Sequence, residues 1–274
     1  MLSGNYLNVG VSNSGGLVDD AFTTGIQFDP AGGGSHGPSD FVAPGVPFEF
    51  WSLGLDTAVA GPIFVSSGNA LLASTYPSLS NGNPLNMVTT NTSSGSTLSA
   101  HSVGNWDQAN FGVTQDLWFD TNESTIHFHT AITNNNIGSL LTGTFARGVD
   151  PDQDALTVGD HNTSNTIPSA NSVTAVGPES GLYITLIDEA KYPGGVPSSS
   201  WQTDSFFLFN TPPNYGNGDN SINLAWGGQI HGGETIDLYY AYKLGPTNPV
   251  PEPCTLSLLG MGAIGLLGLR RRRK

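Results

Sequence analysis

The stretch "TIHFHTAIT", residues Thr125–Thr133, decides the fold class. In an extended chain Ile126, Phe128, Thr130 and Ile132 share one face, and His127, His129 and Ala131 share the other. A period of two with apolar residues on one side is what a half-buried β-strand requires. Working outward, similar short apolar or alternating runs recur between clusters of Gly, Asn, Pro and Ser. Strands are expected at Gly61–Val65, Asn69–Ser74, Asn86–Thr90, Phe111–Phe119, Leu141–Ala146, Ser172–Val176, Leu182–Ile187, Ser205–Phe209, Ser221–Trp226 and Thr235–Leu244. No strongly periodic helix appears between residues 1 and 249, so the expectation is an all-β fold, a β-sandwich, with residues 1–244 as one large domain.

The segment "INLAWGGQIHGGETIDLYYAYKLG" reads as two strands joined through His231-Gly232-Gly233, the second placing Ile236, Leu238, Tyr240 and Tyr242 on one face. Taken with "AITNNNIGSLLTGTFARGVDPDQD" from Ala131, it resembles β-sandwich modules of bacterial surface and secreted proteins. That resemblance implies an architecture and no ligand. The runs "GGGSHGPSD" from Gly32, "SNGNP" and "NTSSGS" are expected loops. The five tryptophans, Trp51, Trp106, Trp118, Trp201 and Trp226, are expected mainly in the core.

The charge distribution narrows the function. Residues 1–249 hold 21 Asp and Glu against Arg147, Lys191 and Lys243, a net of −18. Phosphate backbones repel such a body, so nucleic acid is excluded as a partner. Cys254 is the sole cysteine, which removes internal disulfides, thiolate zinc sites and a cysteine nucleophile from the body. No G-x-S-x-G elbow, Walker loop or G-x-G-x-x-G loop opening a helix is present.

The charge balance reverses at the end of the chain. After the Pro-rich linker "GPTNPVPEP" (245–253) come fifteen uncharged residues, Thr255 to Leu269, and then Arg270, Arg271, Arg272, Arg273 and Lys274. As a helix the apolar run spans roughly 22 Å, shorter than the ~30 Å hydrocarbon core, a gap that local thinning and snorkelling arginines close. A C-terminal transmembrane helix is therefore expected over 254–274, its basic end held on the cytoplasmic side and the body across the membrane.

The order Val250-Pro251-Glu252-Pro253, small Cys254, short Leu/Gly-rich span and arginine cluster resembles a PEP-CTERM sorting signal. The resemblance implies a transient membrane anchor, an exosortase as processing partner, and delivery to the surface or extracellular matrix of a diderm bacterium; association with exopolysaccharide is the role expected of the body. Cys254 departs from the Ser or Ala common at that position. "MLSGNYLNVG" has no basic region followed by an apolar one, so the export signal is expected upstream of Met1.

Two constellations offer chemistry. Asp150, Asp152 and Asp154 alternate in a turn and are candidate calcium ligands, calcium being the cofactor this pattern suggests. The pattern departs from an EF-type loop at Ala155 and His161, and Arg147 is an alternative partner for a carboxylate. His127 and His129 lie about 6–7 Å apart on one strand face, a metal-compatible spacing, with no acidic partner at an identifiable sequence offset. The favoured reading is a non-enzymatic exported protein; a secreted carbohydrate-active enzyme and a carbohydrate-binding module are the rivals. The tail reading predicts that intact-mass analysis of protein released from the cell surface finds a chain ending near Cys254; mature chains still ending in Arg270–Lys274 would contradict it.

Overall fold

A computed structural model describes residues 1–37, 39–45, 47–57, 61–67, 84–189 and 194–247. Three short strands, β1 (Leu2–Ser3), β2 (Leu7–Val9) and β3 (Ile26–Phe28), open the chain. Then follow β4 (Glu49–Thr57), β5 (Gly61–Ser66), β6 (Val88–Asn91), β7 (Thr97–Trp106), β8 (Phe111–Asp120), β9 (Thr125–Asn134) and β10 (Leu140–Val149). A one-turn helix α1 (Ala155–Val158) precedes β11 (Ser164–Ser169), β12 (Ser172–Val176), β13 (Leu182–Asp188) and β14 (Val196–Ser199). Helix α2 (Ser205–Asn210), β15 (Ile222–His231) and β16 (Thr235–Pro246) complete the described body.

The fold is all-β. An eight-stranded antiparallel sheet in the order β11-β12-β13-β16-β9-β8-β7-β6 packs on a five-stranded one, β14-β15-β10-β4-β5, and β1-β2-β3 form a third, small sheet. One apolar core unites Leu117, Phe128, Ile184 and Tyr240 of the large sheet with Trp51, Leu53, Phe145 and Trp226 of the smaller one.

The two sheets differ in burial for a physical reason. Strands β8 and β9 alternate buried and half-buried residues along their whole length, because only one face of the large sheet meets the core. Strand β10 is buried continuously from Gly143 to Val149, because α2 covers the far face of the small sheet. There Leu208 packs with Phe48, Phe50, Ala146 and Ala225, and Trp201 and Phe209 close over them.

Helix α2 corrects one expectation, since Ser205–Phe209 reads as a strand by composition. Asp204 caps it, its carboxylate accepting from the N–H groups of Phe206 and Phe207, which satisfies donors that a strand would have given to a neighbour. Gly54 lets the helix dock: a Cβ there would lie 2.6 Å from Ser205 Oγ. The expected strand at Asn69–Ser74 lies outside the described residues. The other expected strands are present within a few residues, and β1, β2, β3, β4, β7, β11 and β14 are additions.

The segment Ile222–Gly245 does turn at His231-Gly232-Gly233, but β15 and β16 belong to different sheets. The chain crosses between sheets there, and again between β9 and β10. These corners clasp each other: Gly232 N–H donates to Ser139 C=O at 2.7 Å, and Asn134 Nδ2 donates to Ile230 C=O at 3.0 Å. A Cβ on Gly232 would fall 2.1 Å from Asn136 O.

A charged pair sits between the sheets. Arg147 on β10 and Glu49 on β4 are 0% and 2% exposed, and Arg147 Nε donates to Glu49 Oε1 at 2.5 Å. Arg147 also donates to Gln115 Oε1 on β8 and to Gly15 C=O, and its Cζ lies 4.6 Å from the centroid of the Phe128 ring. Glu49 further accepts from Leu17 N–H at 2.6 Å and from the Tyr242 hydroxyl at 3.1 Å. Burial pushes the Glu49 carboxyl up and works against the Arg147 charge, and each ion opposes the effect on the other. Every partner of Glu49 is a donor, so the pair is ionised. Arg147→Met is expected to cost about 3–5 kcal/mol in denaturant unfolding, because Glu49 is left buried without its cation. The double variant Arg147→Met/Glu49→Gln should recover part of that loss; a single variant within ~1 kcal/mol of wild type would show the pair to be dispensable.

Candidate functional site

The outer face of the large sheet is built by the alternation that opened the sequence reading. Strand pairing sets two rows across it. One row runs Tyr239, His129, Asp116, His101 and Thr90, and the next runs Ala241, His127, Trp118 and Ser99.

Each histidine in these rows has a carboxylate. His101 Nδ1 lies 2.6 Å from Asp116 Oδ1, and the other oxygen of Asp116 is 3.6 Å from His129 Nδ1. His129 Nε2 lies 2.7 Å from Asp237 Oδ1, and His127 Nδ1 lies 3.0 Å from Glu189 Oε2. The imidazoles also stack on aromatics: Trp118 on His127 at 5.6 Å, and Tyr239 on His129 at 4.6 Å. One face of the His127 ring and one of the His129 ring are thereby used inside the protein. The result is a half-exposed row of hydrogen-bonding groups flanked by two aromatic rings, Trp118 and Tyr239.

Asp116, Asp237 and Glu189 are missing from the sequence reading, which finds no acid at an identifiable offset from His127 and His129 and no coordinated spacing at His101. The acids come from neighbouring strands and from the loop after β13. A hairpin register built on the short turn Thr121–Ser124 would have placed Asp116 opposite His129 and Trp118 opposite His127.

Beyond Asp237 the face runs into an open groove of about 670 Å3 at the crossing between sheets, bordered by Gly227, Gly228, Gln229, His231, Glu234 and Asp237. Two of its carboxylates are engaged, Glu234 accepting from His231 N–H at 2.8 Å and Asp237 pairing with His129. Beside Gly227, between the sheets, lies a small apolar pocket of about 20 Å3. Trp51, Trp106 and Trp226 are core residues, whereas Trp118 and Trp201 are half-buried.

The acidic turn lies elsewhere, where β10 ends, and it is buried rather than solvated. Asp150 and Asp152 are each 4% exposed and Asp154 is 1% exposed. The structure does not bring the three together. Asp154 turns away, its carboxylate accepting from the N–H groups of Glu179 and Ser180. Arg147 is committed to Glu49, not to this turn. Asp152 Oδ1 pairs with His161 Nδ1 at 2.9 Å, while Asp150 Oδ1 is buried with no hydrogen-bond partner. Burial, with Asp152 and Asp219 nearby, pushes the Asp150 carboxyl well up; burial outweighs His161 and raises Asp152 to about 6. Among the described residues no three His, Cys, Asp or Glu side chains form a ready-made metal centre.

Val250 to Cys254 and Arg270 to Lys274 lie outside the described residues, and comparison with known proteins identifies them. Residues 249–273 match the PEP-CTERM protein-sorting motif. The chain carries a PEP-CTERM signal. That signal marks an exported protein processed by an exosortase. Among the described residues no helix is long and apolar enough to cross a membrane, and the expected span at 254–274 falls outside them.

No curated protein matches the sequence. Among solved structures, the body of this PEP-CTERM chain is similar to part of a bacterial glucoamylase solved with acarbose, at TM-score 0.53 and 10% identity over 89% of this chain and 32% of that one. A heparan sulfate lyase from Pedobacter heparinus gives 0.40 at 7% identity, over 61% and 23% of the two chains. The Slr1438 protein of Synechocystis sp. PCC 6803 gives 0.42 at 6% identity, over 77% and 76%. The chain spans about a third of the glucoamylase's length. At this identity the likeness shows the fold alone.

The raised Asp152 carboxyl has a consequence for stability. A carboxyl whose pKa is higher folded than unfolded disfavours the native state as pH climbs from the unfolded value toward the folded one. With divalent cations chelated, wild type is expected to lose about 2–3 kcal/mol relative to Asp152→Asn between about pH 4 and 6, and no more above that. Parallel stability curves for the two proteins across this range, measured by urea unfolding, would contradict the assignment.

Proposed function

We propose that this is a non-enzymatic surface or extracellular-matrix protein, released from its membrane-anchored precursor by exosortase processing, whose sandwich associates with exopolysaccharide. The observation that carries the reading is the outer face of the large sheet, continuous with the corner groove. It combines imidazoles, carboxylates and Ser/Thr hydroxyls, which suit sugar hydroxyls, with the rings of Trp118 and Tyr239, which suit the apolar faces of sugars. The excess of negative charge favours neutral or cation-bridged polysaccharide over polyanions bound directly.

The groove also supports a second reading, a carbohydrate-active enzyme, because Glu234 and Asp237 both border it. One experiment separates the two: incubation of the purified protein with exopolysaccharide from the producing cells, followed by co-sedimentation and by assay for new reducing ends. The expected result is co-sedimentation without new ends, weakened at least about tenfold by Trp118→Ala or Tyr239→Ala, the loss of an aromatic–sugar contact of ~1.4 kcal/mol or more. New reducing ends that vanish in Glu234→Gln would replace this reading with the enzymatic one. No co-sedimentation and no cleavage would remove polysaccharide from the account.

A further inference from the structure

Asp150 is an anomaly among the buried acids. Asp40 gives its oxygens to the N–H groups of Gly25, Val42 and Ala43, Asp154 to Glu179 and Ser180, and Glu49 to Arg147, Leu17 and Tyr242. Asp150 is as buried as these, yet its Oδ1 meets no donor. Its charged neighbours are acids: Asp152 on the same turn and Asp219 on the loop before β15. Asp152 in turn feels Asp219 and Asp40, with His161 as its one favourable partner. A donor-less carboxylate surrounded by negative charge is strongly disfavoured unless something positive joins it.

We propose that Asp150 and Asp152 bind a calcium ion at the end of β10, with Asp219 contributing charge from the facing loop. Hard carboxylate oxygens suit calcium over transition metals, and calcium accepts main-chain and water oxygens to complete a shell of six to eight, so two side chains are sufficient protein carboxylates. The site differs from the alternating triad in the sequence, because Asp154 spends both oxygens on the 179–180 backbone. The ion would tie the β10 terminus and the facing loop into one unit. The proposal does not depend on polysaccharide binding.

The rival satisfier of Asp150 is a proton, and thermal unfolding of the full chain at neutral pH distinguishes them. Wild type, Asp150→Asn, Asp152→Asn and Asp154→Asn are compared in excess EDTA and in millimolar calcium chloride. Wild type should gain at least about 5 °C in calcium. Asp150→Asn and Asp152→Asn should lose that gain while melting above wild type in EDTA, because the uncompensated charge is gone. Asp154→Asn should keep the calcium gain. A wild-type melting temperature indifferent to calcium assigns the site to a proton and overturns the proposal, as does an equal calcium gain in wild type and Asp150→Asn. Should a variant fail to fold, equilibrium dialysis of wild type against radiolabelled calcium decides: one ion per chain supports the site, and none at millimolar calcium overturns it.

Discussion

The ion pair between Arg147 and Glu49 constrains the rest of the sandwich. It is fully enclosed, so each partner must find all its hydrogen bonds inside the protein. Those bonds reach every layer: Gln115 and Tyr242 belong to the large sheet, Arg147 and Glu49 to the small one, and Gly15 and Leu17 to the loop that enters between them from the N-terminal side. A sandwich with a purely apolar filling could slide one sheet over the other at modest cost. With a guanidinium that must meet five donors' worth of geometry, one arrangement of the sheets satisfies the charges and neighbouring ones strand them.

With the interior fixed this way, the surfaces divide the remaining tasks. Helix α2 covers the far side of the small sheet over β4, β10 and β15. The large sheet keeps one open face, and its polar positions are where His101, Asp116, His127 and His129 meet. The pairing of β9 with both β8 and β16 does two things at once: it aligns Phe128 with Tyr240 in the core, stacked at 4.9 Å, and it aligns His129 with Tyr239 outside. Core register therefore sets the register of the proposed binding face.

Much of this was legible in the sequence because the period of two is a local signal. The alternation over Thr125–Thr133 and Thr235–Leu244 needed no tertiary information, and the tail's ordered parts are likewise contiguous. What stayed hidden depends on partners distant in the chain. Ser205–Phe209 has strand-like composition, and its helix follows from the Asp204 cap and from a docking surface at Gly54 supplied by another strand. The crossing at Gly232 reads as a hairpin until Ser139 and Asn136 are seen against it. Arg147 stood in the sequence as a neighbour of the acidic turn, yet strand alternation points it inward to Glu49, 98 residues away. The carboxylates of the histidine face were invisible for the same reason, since register, not spacing, brings them together.

The central claim is that the tail delivers a sandwich that then resides outside the cell. Subcellular fractionation tests it most directly, comparing cells that make the wild-type chain with cells that make a chain in which Pro251, Glu252 and Pro253 are all replaced by Ala. The account predicts that the wild-type body is recovered with the surface or extracellular polysaccharide fraction, whereas the altered chain accumulates uncut in the membrane fraction. Equal recovery of both chains in the same fraction would contradict it.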